Sequence, residues 1–113
     1  MKEIKSIIQP HMLPKVMNAL HAVPHFPGAT VSDCQGQGRG RGKSGQYVAT
    51  AESIFLAKKV KLEILCSDEV CDDLVRVIQT NAHTGNPGDG VILVVDLDRV
   101  VRIRTAEEQN AAV

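Results

Sequence analysis

The spacing of hydrophobic positions changes several times along the chain, and each change marks an element. Residues 3–9 (EIKSIIQ) place Ile4, Ile7 and Ile8 in a short run that stops at Pro10, which predicts a first strand. Leu13, Val16, Met17 and Leu20 then recur at helical spacing, with Pro14 in the first turn where a missing N–H does no harm. Pro24, Pro27 and Gly28 end that helix, and residues 29–34 (ATVSDC) predict a second strand. Residues 59–65 (KVKLEIL) alternate cleanly: Val60, Leu62 and Ile64 point to a core while Lys61 and Glu63 point away.

A second helix follows, with Ser67 as its cap and Asp68 and Glu69 in the first turn, where the helix dipole favours anions. Val70, Cys71, Leu74, Val75 and Ile78 form its apolar stripe. Residues 91–96 give a fourth strand, residues 100–104 a short terminal strand or extension, and residues 106–113 a loosely held tail. The order β-α-β-β-α-β is the split βαβ plan, an α+β fold of ferredoxin-like type. Its antiparallel sheet carries both helices on one face.

Between the second and third strands the pattern dissolves. Gly36, Gly38, Gly40 and Gly42 alternate with Gln37, Arg39 and Arg41, and no period returns until about Ile54. A loop this long within a compact domain is uncommon and often functional. Its glycines do not make a nucleotide motif. A P-loop ending at Lys43-Ser44 requires glycine where Gln37 stands, and the dinucleotide fingerprint requires glycine where Arg41 stands.

Composition narrows the function classes. A chain of 113 residues is expected to form one domain, 1–113, with an aliphatic core, since aromatics are only 3%. Thirteen basic and thirteen acidic side chains balance, so no global field draws the chain to nucleic acid or to a membrane. Arg39, Arg41 and Lys43 form a small basic patch with only Tyr47 and Phe55 near it for stacking, which argues against nucleic acid as a partner. No apolar run approaches the roughly 20 residues of a bilayer span, and the N-terminus has no secretory pattern. Three cysteines without CxxC spacing suit reduced thiols in a cytoplasm.

His11, His21, His25 and His83 have no zinc-site spacing with one another or with the cysteines, so no metal residues are assigned; a site shared between subunits stays open. Asp68, Asp72 and Asp73 lie on an exposed helix face, and no nucleophile elbow or HExxH is present. The expectation is a binding module rather than an enzyme.

The stretch with most chemistry is residues 84–105. Its turn, TGNPGDG, offers backbone N–H groups, and Arg102 and Arg104, two apart, would share a face if they lay on a strand. Together they suit the phosphates of a small anion; the same residues also describe an ordinary turn with solvent-facing arginines.

Residues 1–13 (MKEIKSIIQPHML), 59–64 (KVKLEI), 84–90 (TGNPGDG) and 101–108 (VRIRTAEE) resemble the PII signal-transduction proteins, over nearly the whole chain. The resemblance implies a homotrimer with an adenine nucleotide in each intersubunit cleft. It also implies a long T-loop, here about 37–55, that docks on a target protein: a transporter, an enzyme or a regulator. A membrane would then be met only through such a target. Matched residue by residue, the nucleotide positions are Thr30, Gly36, Gly38, Arg39, Glu63, Leu65, Gly88, Asp89, Gly90, Arg102 and Arg104. Arg39, at the loop base, is the candidate for coupling ligand to loop, and the tail begins at about residue 105.

The departures from the family pattern concern the phosphates. Val91 replaces a lysine, Gly40 a glutamine that organises Mg-ATP and 2-oxoglutarate, and Gln9 a basic residue, while Lys59 keeps the match to a second 2-oxoglutarate-contacting lysine. Residues 47–52 (YVATAE) place Glu52 where the family has its modifiable tyrosine, so nucleotidylylation there is not expected. The expected ligand is therefore ADP or AMP at least as much as ATP, with no redox cofactor. The alternative is a PII-like trimer responding to a metal or a small anion, its nucleotide site degenerate.

Overall fold

Four strands and two helices form the framework of the computed structural model, which describes residues 1–37 and 56–113. Strand β1 (Lys2–Ile8) is central. It pairs antiparallel with β3 (Ala57–Cys66) on one side and β4 (Gly90–Asp96) on the other, and β2 (Thr30–Gly36) adds outside β3. The sheet order β2-β3-β1-β4 inserts β3 between β1 and β2, as the ferredoxin-like plan requires.

Alternation along the strands decides which face is covered. Ile4 and Ile8 of β1, with Val60, Leu62, Ile64 and Cys66 of β3, point to one face and are buried. Both helices close that face: Val16 and Leu20 of α1 (Leu13–His21) and Cys71, Leu74 and Ile78 of α2 (Asp68–Ala82) complete a single cluster. Ser6 sits between Ile4 and Ile8 in that core, fully buried, and its hydroxyl has no partner among the described residues.

The other face of the sheet carries Glu3, Lys5 and Ile7 of β1, Lys59, Lys61, Glu63 and Leu65 of β3, and Val91, Leu93 and Val95 of β4, by their register. It is not covered. Leu65, Val91, Leu93 and Val95 are exposed there at 40%, 55%, 39% and 46%, so the apolar run of β4 is a half-exposed edge and not a buried strand.

Several boundaries and two assignments differ from expectation. Each strand reaches one or two residues beyond at least one of its expected ends; β2, for example, runs on to Gly36. Ser67 stands at the α2 N-cap with extended backbone but makes no side-chain capping bond. Asp68 instead binds the N-terminal ammonium at 2.7 Å.

No strand forms over residues 100–104. Val101 makes one isolated bridge to Glu108, and between them the chain turns back through Ala106 N–H to Arg102 C=O, with Ala106 at φ 59°. Arg102 and Arg104 therefore do not share a strand face.

Nor is the tail loosely held. Gln109–Ala112 forms a short 3-10 turn, Ala112 is only 4% exposed, and the Arg102 guanidinium donates to the Ala112 carbonyl at 3.1 and 2.7 Å. The expected loop, 37–55, lies outside the described residues apart from Gln37.

Candidate ligand-binding site

The matched positions fall into two groups on one chain. Thr30 and Glu63 are cross-strand partners on β2 and β3, and Leu65 follows Glu63 on the same face. Arg102 is brought beside them by the turn at residues 101–108. These residues, with Gly28, Ala112 and Val113, line an open recess of about 150 Å³. Ala112 and Val113 were not legible as site residues from spacing. The signal for them is that the polar tail ends in three small or apolar residues, Ala111, Ala112 and Val113.

The second group surrounds the turn between α2 and β4. Asp89 holds that turn: its carboxylate accepts from the Thr84 N–H at 2.8 Å, the Gly85 N–H at 3.0 Å and the Thr84 hydroxyl. Gly88 and Gly90 have φ of 93° and 106°, conformations that L side chains rarely adopt. Lys59 Nζ donates to the Gly88 carbonyl at 2.7 Å. A Cβ on Gly88 would stand 3.0 Å from Gln9 Nε2, and one on Gly36 would meet the Lys59 side chain at 4.0 Å. Gly36, Lys59, Gln9 and Gly88 thus converge at one end of the sheet.

The two groups do not meet. Leu65 is registered with Glu3, and Gly90 with Ile8, five positions further along β1. At about 3.4 Å per residue this is roughly 17 Å. Arg104 lies exposed in the turn beyond Arg102, and Gly38, Arg39 and Gly40 lie outside the described residues.

A larger recess, about 510 Å³, runs between α2 and the β4 edge. Its walls are Ile8, Val75, Gln79, Ala82 and Ile92 with His83, Asp89, Gly90 and Val91, so it borders the second group, but neither Lys59 nor Arg102 lines it. An anion is better served by the cation-bearing groups described above.

A sequence profile described as "Nitrogen regulatory protein P-II" matches residues 1–107. The chain is 42% identical to the nitrogen regulatory protein P-II of Klebsiella oxytoca, 39% to that of Azospirillum brasilense and 42% to nitrogen regulatory protein P-II 1 of Escherichia coli K12. Each match covers the whole of both chains. The chain belongs to the nitrogen regulatory P-II family. Its class is thereby that of a signalling protein in nitrogen regulation, and the observed sheet order is the ferredoxin-like one expected of it. Among the described residues no helix is long and apolar enough to cross a membrane.

In this P-II protein the Thr84 hydroxyl and the Thr84 and Gly85 N–H groups hold the Asp89 carboxyl below its ordinary pKa, with a smaller contribution from His83. A lowered folded pKa contributes stability that is present above the unfolded value and is lost as pH falls through the folded one. The Thr84 and Gly85 amide resonances are therefore expected to hold steady as pH falls through the usual carboxylate range, then move together below it. If they move at an ordinary aspartate pH, the Asp89 clamp is refuted.

The thiols behave otherwise. Burial, together with the adjacent Cys71, pushes the Cys66 thiol up to about 12. The four histidines are all exposed.

Proposed function

We propose that this P-II protein is a homotrimeric adenylate sensor whose ligand sits between subunits and whose T-loop, about 37–55, docks on a partner protein. The observation that carries the reading is the separation of the two groups. Thr30, Glu63, Leu65 and Arg102 on one chain would face Gly36, Gly88, Asp89 and Gly90 on the next. The exposed apolar stripe Leu65, Val91, Leu93 and Val95 supports such packing, because a patch of this kind is characteristic of an interface. The count of three rests on the family.

The first group offers an apolar wall and the Glu63 carboxylate for a base. The second offers backbone donors of a glycine turn for phosphate, with Lys59 beside them. Arg104, exposed, would serve the phosphates together with Arg102, and Gly38 and Arg39 complete the family set at the loop base. The reading has no catalytic step: recognition alone biases the T-loop, and only to the extent that ligand binds one loop state better than another. We assign the protein to the cytoplasm, where adenylates are found.

Val91 is the residue that sets nucleotide preference. It follows the turn directly, 55% exposed and apolar, so no cation extends from that position. One charge-assisted bond to a terminal phosphate contributes about 1.5–3 kcal/mol, roughly tenfold or more in affinity. Calorimetric titration with AMP, ADP and ATP, with and without Mg2+ and 2-oxoglutarate, is expected to show ADP or AMP binding at least as tightly as ATP. Neither Mg2+ nor 2-oxoglutarate should add affinity. Absence of heat with every nucleotide would sink the reading and favour a metal- or anion-responsive trimer.

A further inference from the structure

The two helices do not cover the whole of their side of the sheet. Ile92 and Val94 of β4 are registered with Ser6 and Ile4, so both look to the helix-covered face. Yet Val94 is 44% exposed and Ile92 is only partly buried. The strip left open beside α2 is the recess of about 510 Å³, a size typical of small-molecule sites. Val75, Gln79 and Ala82 recur along α2 at helical spacing and form one wall, while Ile8 and Ile92 form the floor. His83 and Asp89 close one end. Among the described residues they are the only ionisable groups that line the recess, and no Lys or Arg does.

We propose that this recess binds a small amphipathic cation, an organic amine with an aliphatic or aromatic body, at a site separate from the one proposed for nucleotide. The body lies on Ile8, Val75, Ala82 and Ile92, and the ammonium donates to the Asp89 carboxylate. A carboxylate has about four acceptor sites. Three of them are filled, by the Thr84 N–H at 2.8 Å, the Gly85 N–H at 3.0 Å and the Thr84 hydroxyl. His83 Nδ1 stands 3.6 Å away, too far for a hydrogen bond, and the Asp89 side chain is 24% exposed. One acceptor site is therefore left for a donor in the recess, and a charged donor makes the stronger bond. An anion meets an unpaired carboxylate there, and a neutral molecule gains the apolar walls alone.

The place of Asp89 gives the site a consequence. The same carboxylate holds the turn that carries Gly88 and Gly90. A donor arriving from the recess shares it with Thr84 and Gly85, so occupancy shifts those bonds and the turn senses the amine.

The test is an NMR titration of the full chain, as it assembles in solution, with phenethylamine, 2-phenylethanol and 3-phenylpropionate. Phenethylamine is expected to move the methyl resonances of Val75 and Ile92 together with the Thr84 and Gly85 amides. The alcohol, with the same body and no charge, should bind at least about tenfold more weakly, and the carboxylate more weakly still. Val75→Trp, at a half-buried helix position, fills the recess and should abolish the shifts while circular dichroism stays unchanged. Asp89→Asn should bring amine and alcohol to the same affinity; if that variant loses its fold, Val75→Trp and the three probes decide alone. Equal affinity of amine and alcohol for the unaltered chain overturns the proposal, as does binding that survives Val75→Trp. Absence of shifts with all three probes overturns it too, and is the result expected if a second copy of the chain fills the recess.

Discussion

Gly90→Ala is expected to lower the free energy of unfolding by about 3 kcal/mol or more, enough to abolish most of the stability of a marginal domain. A Cβ at Gly90 would stand 1.7 Å from the Ile7 carbonyl oxygen and 2.8 Å from its carbon. That carbonyl belongs to β1, which is paired on both sides and cannot retreat without breaking a ladder. The φ of 106° adds backbone strain of its own, about 1–3 kcal/mol. Gly85→Ala separates the two effects: its φ is also positive, at 87°, but the nearest neighbour to its Cβ is the flexible His83 ring at 3.8 Å. Urea unfolding of both variants should show a much larger loss for Gly90. Equal losses would mean that strain alone matters and that β1 yields.

Arg102→Ala is expected to change two things at once. The guanidinium grips the Ala112 carbonyl through Nε and one terminal nitrogen, so the variant should release the chain end, seen as faster amide exchange at Ala112 and Val113. Adenylate affinity should fall about ten- to a hundredfold, the equivalent of one charge-assisted bond to phosphate. Arg102→Lys restores charge without the fork, so it should recover part of the affinity but not the amide protection. Affinity unchanged in Arg102→Ala would remove this residue from the site and undo its place in the cleft.

The elements that alternation defines were legible from sequence, because a period of two or of 3.6 is written directly into residue order. Val60, Leu62 and Ile64 are buried as that pattern predicts, and so are Leu74 and Ile78 of α2. The chain end was not legible. Val101, Arg102 and Ile103 have strand composition, yet the turn through Ala106 and the bond from Arg102 to Ala112 form by contacts that no local period encodes. In the candidate site the glycine turn announced itself by composition. The clamp from Asp89 to Thr84 and Gly85 was not legible, because polar residues in a turn are ordinary.

The pleat of β3 has a consequence for how such a protein can diverge. Val60, Leu62, Ile64 and Cys66 hold the helices, whereas Lys59, Lys61, Glu63 and Leu65 look the other way. The described departures from the family pattern avoid the helix-covered side: Val91 is on the open face and Gln9 lies just beyond β1, only half-buried. The open face and the helix-covered core are thus inherited on alternate positions of the same sheet. A lineage can change the open face, one exposed position at a time, without passing through an unfolded ancestor.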